Sequence, residues 1–106
     1  MKASMSSKQK NESEVTVELL GILKQAAGKS KLRKSMDSEQ SVISFVQRLE
    51  DTQEFPKNLL IDPSSAMLRR NVLVLINGKE INVLGGSATL LHSGDCLTLL
   101  PVSHGG

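Results

Sequence analysis

The most suggestive residues of this 106-residue chain are its last two, Gly105 and Gly106. They follow a strand-like apolar segment, past Pro101, and cap nothing. Glycine has no Cβ and adopts conformations closed to other residues, so such a stretch can thread a narrow channel in another protein. It would deliver a terminal carboxylate to that protein's active site. A carboxylate is a poor electrophile. Reaction with ATP makes it an acyl-adenylate, from which a sulfur nucleophile displaces AMP. In this chemistry the chain is a substrate, not a catalyst.

Other constellations are weaker. Ala26-Ala27-Gly28-Lys29-Ser30 ends like a phosphate-cradling loop, but that motif needs glycine at position 23, where Leu23 stands. A turn is the better reading. His92, Cys96 and His104 are three scattered N/S groups, short of the usual four ligands of a structural zinc site. Cys96 as a nucleophile would need an oriented base, and nothing orients His92. No carboxylate pair lies in an apolar setting, so acid/base catalysis has no carrier.

The elements that would hold the tail follow from hydrophobic period. Val15, Val17 and Leu19 alternate with Glu14, Thr16 and Glu18, the pattern of a strand with one wet face. The segment 21–30 reads as the turn of an opening hairpin, with 31–36 a faint second strand. Val42, Phe45, Val46 and Leu49 form one helical stripe, with Asp37 and Gln40 as a capping box or Ser38 as the cap. The helix should fade by Asp51–Thr52. Residues 53–68 hold Pro56 and Pro63 and read as a surface loop with one short turn at most. Val72–Ile76 is an apolar strand, Asn77-Gly78 a hairpin turn, and Ile81 with Val83 a short returning strand. Cys96–Val102 forms the last strand. The helix stripe should pack on Val15, Val17, Val74, Ile76, Leu97 and Leu99. The order of elements is α+β: a mixed sheet of about four to five strands with one main helix across one face.

If Val74 and Ile76 face the helix, Leu73 and Leu75 face outward, and Leu100 does so on the last strand. An exposed apolar patch of this kind marks a partner-binding surface, unless the long loop covers it. The domain plan is a disordered basic tail over 1–12, a folded domain over 13–102 and a flexible tail over 103–106. The net charge of +2 lies wholly in the leading tail, where Lys2, Lys8 and Lys10 face Glu12. The remainder is balanced, and there is no Trp or Tyr, which argues against a nucleic-acid-binding face. No apolar run is long enough to span a bilayer, and Met1–Asn11 lacks the apolar stretch of a secretory signal. The single cysteine excludes an intramolecular disulfide and makes a reducing cytoplasm the expected compartment.

These residues resemble a known family. Leu68-Arg69-Arg70-Asn71-Val72-Leu73-Val74-Leu75-Ile76-Asn77, Leu84-Gly85-Gly86, Gly94-Asp95 and Ser103-His104-Gly105-Gly106 are similar to the ubiquitin-related modifiers. Leu23-Lys24-Gln25-Ala26-Ala27-Gly28 and Leu100-Pro101-Val102-Ser103 look like the MoaD and ThiS sulfur carriers and the small archaeal modifier proteins. The resemblance covers roughly residues 14–106. It implies a β-grasp, ubiquitin-like fold and no enzyme activity of the chain's own. It implies that the Gly106 carboxylate is adenylated by a ubiquitin-activating-type enzyme and becomes a thiocarboxylate. Sulfur would then pass to tRNA thiolation or molybdopterin, or the tail would be joined to protein lysines. The implied partners are that adenylating enzyme, a sulfurtransferase or tRNA-thiolation enzyme, or the large subunit of molybdopterin synthase. ATP is used by the partner, and no cofactor or metal is bound. Gly105 and Gly106 are the reacting tail; Leu73, Leu75, Leu100, Pro101, Val102 and His104 are the expected partner contacts. Two alternatives are the small subunit of molybdopterin synthase and a plain β-grasp interaction module.

Overall fold

The computed structural model describes residues 13–102. The expectations for tails 1–12 and 103–106 lie outside the described residues. Strand β1 (Glu14–Leu19) buries Val15, Val17 and Leu19 and turns Glu14, Thr16 and Glu18 outward, as its alternation requires. It pairs antiparallel with β2 (Lys31–Ser35), with Val17 opposite Leu32. The connection is more than a turn. Helix α1 (Ile22–Ala27) fills it and buries Leu23. Gly28 ends this helix in the left-handed region at φ 75°, its N–H donating to the Lys24 carbonyl. The phosphate-loop look-alike is therefore a helix C-cap. Six residues are too few for a helical stripe to stand out, which is why the segment reads as a turn.

The main helix, α2 (Val42–Asp51), begins later than the Asp37 or Ser38 caps imply. Gln40–Ser41 (β3) is extended because it pairs with β8 (Leu90–Leu91), and Val42 N–H donates to the Thr89 carbonyl. Ser41 is the cap: its Oγ accepts from Ser44 N–H at 3.2 Å. The other end is as expected, with Thr52 Oγ1 donating to the Leu49 carbonyl at 2.6 Å. The loop after it is not a surface excursion. Phe55, Leu60 and Ile61 are buried, and β4 (Ile61–Asp62) pairs with β5 (Met67–Leu68) as a small ribbon.

A buried carboxylate organises this segment. Glu50, on α2, is 6% exposed and accepts from Leu60 N–H at 2.7 Å, Ile61 N–H at 3.2 Å and Asn58 N–H at 3.3 Å. Two of these donors, Leu60 and Ile61, belong to buried residues that water cannot replace as partners. Glu50→Ala is expected to destabilise the domain by roughly 2–4 kcal/mol, since each orphaned buried donor costs about 1–3 kcal/mol. Urea unfolding checks this, and a loss below about 1 kcal/mol would place the loop's support elsewhere. Nearby, Lys34 Nζ bonds Glu54 at 2.7 Å and holds its carboxyl below the usual glutamate range. The stability this pair adds is present above the ordinary glutamate pKa and is lost as pH falls through the lowered one.

Strand β6 (Val72–Ile76) and β7 (Lys79–Glu80) are joined by Asn77-Gly78, with φ 51° and 86°, the backbone a two-residue hairpin needs. The returning strand stops there. Ile81–Val83 is a single 3-10 turn rather than a strand: Leu84 N–H closes on the Ile81 carbonyl, putting Ile81 in the core and leaving Val83 in solvent. A second 3-10 turn (Gly86–Ala88) leads to β8, and β9 (Cys96–Pro101) completes the sheet. The sheet has five strands in the order β2-β1-β9-β6-β7, with β1 and β9 parallel at its centre. The stripe Val42, Phe45, Val46, Leu49 joins Val15, Val17, Val74, Ile76, Leu97 and Leu99 in one buried cluster, as the periods require. This is the β-grasp arrangement.

Candidate functional site

The site begins where β9 ends. Pro101 would break a central strand, since it offers no N–H. Here it does no harm: Pro101 lies opposite Val72, one rung short of the Asn71–Val102 pair, while the neighbouring strand β1 has given way to α1. Val102, the last described residue, is held by Asn71. Val102 N–H donates to the Asn71 carbonyl at 2.7 Å, and Asn71 Nδ2 donates to the Val102 carbonyl at 3.1 Å.

The outer sheet face beside this exit is apolar. Leu73 sits opposite Leu100, and Leu75 lies in the next outward row. Leu73 is 37% exposed; Leu75 and Leu100 are half-buried. Leu20 was not anticipated as a member. Its N–H donates to the Leu99 carbonyl, so it carries the outward phase of β1 one residue further, alongside Leu100. The Leu19-Leu20 doublet was the available signal. Gly21 then lets Leu100 lie flat: a Cβ there would stand 3.1 Å from Leu100 Cδ1. The expectation that both strand faces are apolar holds only at this end. The row Lys31, Glu18, Thr98, Leu75, Glu80 is polar except for Leu75, and Thr98 Oγ1 donates to Glu18 at 3.0 Å.

The predicted contact residues thus fall on two surfaces. Leu73, Leu75 and Leu100 share the outer face. Pro101 and Val102 instead line a groove of about 530 Å³ with Ile22, Asn58, Leu59, Arg69 and Asn71. His104, Gly105 and Gly106 lie outside the described residues. Among the described residues the most exposed large apolar side chain is elsewhere: Val83, on the first 3-10 turn, is 73% exposed, and Leu84 just after it and Leu90 on β8 are also exposed. His92 Nε2 pairs with Glu39 at 2.7 Å, and Cys96 N–H donates to Asn77 Oδ1, which knits the hairpin turn to β9. Among the described residues no group of three His, Cys, Asp or Glu is placed to hold a metal ion, and no helix is long and apolar enough to cross a membrane.

No protein-family model matches the chain. A curated relative does. The sulfur carrier protein CysO of Mycobacterium tuberculosis is 35% identical over 94 residues, covering 87% of this chain and 98% of the relative. This chain belongs to the MoaD–ThiS and Urm family of sulfur carriers and ubiquitin-like modifiers. Solved structures agree with the family. The small archaeal modifier protein 1 of Methanosarcina acetivorans superposes with a TM-score of 0.75 at 31% identity, over 89% of this chain and 97% of that one. CysO of Amycolatopsis orientalis, solved in complex with BexX, superposes with a TM-score of 0.67 at 26% identity, over 87% and 99% of the two chains. These relatives are named as a sulfur carrier and as a small modifier protein.

Proposed function

We propose that this carrier acts through the carboxylate of Gly106. An adenylating enzyme of the ubiquitin-activating type docks on the leucine face and takes the tail into its active site. ATP and the carboxylate give an acyl-adenylate and pyrophosphate. Hydrosulfide then displaces AMP: the C–S bond forms as the C–O bond to AMP breaks, and loss of the proton leaves a thiocarboxylate. The sulfur passes to an acceptor in tRNA thiolation or molybdopterin synthesis, or the activated tail forms an isopeptide bond with a lysine of a target protein. The setting is the cytoplasm. Relatives described as a sulfur carrier and as a modifier support the two outcomes, and the CysO–BexX complex shows a relative engaging a protein partner.

One observation carries the reading. The apolar outer patch of Leu20, Leu73, Leu75 and Leu100 lies at the end of the sheet from which β9 runs toward Gly105-Gly106, so a partner seated there meets the tail. Pyrophosphate exchange with the cognate adenylating enzyme tests it. Leu73 is the best probe of the patch, because Leu75 is half-buried and opposite Glu80, where a new carboxylate would meet a like charge. Leu73→Glu is expected to leave the melting curve unchanged and to weaken docking more than about tenfold, as an unpaired charge buried at an interface does. Unchanged exchange kinetics for the folded variant would remove the patch from the mechanism.

A further inference from the structure

Asn71 makes an unusual end to a ladder. In an antiparallel pair, opposed residues exchange two main-chain hydrogen bonds at every second rung. Asn71 and Val102 stand at such a rung, one beyond the Val72–Pro101 pair. The Asn71 carbonyl takes the Val102 N–H in the regular way. The second bond comes from the Asn71 side chain, whose Nδ2 takes the place of a main-chain donor. The backbone is turning here, with Val72 N–H donating to the Arg69 carbonyl at 3.2 Å.

Asn71 is mounted on a rigid support. Arg69 N–H donates to the Leu60 carbonyl at 2.8 Å, and Arg69 Nε to the Asn58 carbonyl at 2.7 Å. Leu60 and Asn58 are themselves held by the buried Glu50 carboxylate. A continuous set of hydrogen bonds therefore runs from the core helix to the point where the chain leaves the sheet.

We propose that Asn71 is a positioning residue: by gripping both backbone groups of Val102 it fixes the base of the tail and so the region in which the Gly106 carboxylate is presented to an activating enzyme. This rests on the proposed function. From Val102, the four remaining residues reach at most about 13–14 Å. Pro101 has no N–H of its own to take over the anchor. With the Asn71 amide gone, Val102 keeps only its N–H bond to the Asn71 carbonyl; the rung loosens, the base of the tether is less fixed, and the effective concentration of the carboxylate at the reacting centre falls. The docking face is untouched, so the loss belongs in turnover and not in association.

The test uses the full chain with Asn71→Ala and, to retain side-chain size without the donor, Asn71→Asp. With its adenylating enzyme, each is expected to lower kcat for pyrophosphate exchange by roughly three- to tenfold, the worth of one net hydrogen bond, with KM for the carrier unchanged and the melting temperature lowered by at most about 4–8 °C. Backbone relaxation of the variants should show the Val102 amide gaining fast motion. Equal kcat, equal order at Val102, or a raised KM alone would each overturn the positioning role while leaving the carrier reading in place. A wild-type chain that its host's enzyme never activates would overturn the carrier reading and this inference with it.

Discussion

Removing Gly105 and Gly106 is expected to abolish ATP-dependent activation and leave folding untouched. The two halves of this result have separate causes. Among the described residues every member of the buried cluster lies between Val15 and Leu99 and the last backbone anchor is at Val102, so truncation after His104 is expected to leave the core intact. The chemistry, by contrast, needs a carboxylate on a side-chain-free stem. Truncation leaves a carboxylate, but it is two residues short and follows an imidazole-bearing residue. Within the tail the effects should be graded. Gly106→Ala adds one methyl group and should be the milder change. Gly105→Val should be severe, because a β-branched side chain stiffens the backbone and fills a channel shaped for glycine. Pyrophosphate exchange read beside a melting curve for each variant separates the two causes. Activation of the truncated chain at the full-length rate would shift the reading to a plain β-grasp interaction module.

The second large effect is on stability. Phe45→Ala is expected to cost about 3–5 kcal/mol, because the ring is lost from a closed cluster and the cavity relaxes only in part. Phe45 is 4% exposed and shares the α2 stripe with Val42, Val46 and Leu49 against the central strands. A single domain of this size has a total margin of about 5–15 kcal/mol, so this one change could take most of it. Denaturant unfolding gives the value directly. A loss under about 1 kcal/mol would mean that the helix does not pack its stripe on the sheet as described.

Phe45 belongs to the part of the fold that is legible in the sequence. Periods of two and 3.6 recover β1 and α2, because elements with one buried face must repeat, while β6 and β9 are legible as apolar runs bounded by turn residues. The Asn77-Gly78 turn is legible because a two-residue hairpin needs positive φ at both positions. Short elements are not legible in this way. Helix α1 has six residues, and β4 and β5 have two each, so their burial depends on tertiary contacts. The start of α2 was misplaced for the same reason. Asp37 and Ser38 are good local caps, but pairing of Gln40–Ser41 with Leu90–Leu91, some fifty residues on, keeps the chain extended until Ser41.

At the candidate site, alternation groups Leu73 with Leu75 and opposes them to Val74 and Ile76, but in an all-apolar strand the outward phase follows only once Val74 and Ile76 are seated against the helix. Asn71 is not legible at all. Its role comes from a side-chain amide standing in for a main-chain donor across thirty-one residues of sequence, and no spacing rule marks that. Glu50 is a similar case. A charged residue near the end of an amphipathic helix reads as solvated, yet here the returning loop brings three N–H groups to its carboxylate and buries it. Polar residues that organise loops are set by where distant segments return, and period carries no record of this.

The most direct measurement is the intact mass of the chain isolated from its own cells, with the carboxy-terminal peptide sequenced by fragmentation. The account predicts a fraction of molecules in which one oxygen of the Gly106 carboxylate is replaced by sulfur, with the mass change confined to the last residue and lost on mild hydrolysis. A chain that carries only an ordinary carboxylate at Gly106, with no thiocarboxylate and no isopeptide-linked lysine in any growth condition, would contradict it.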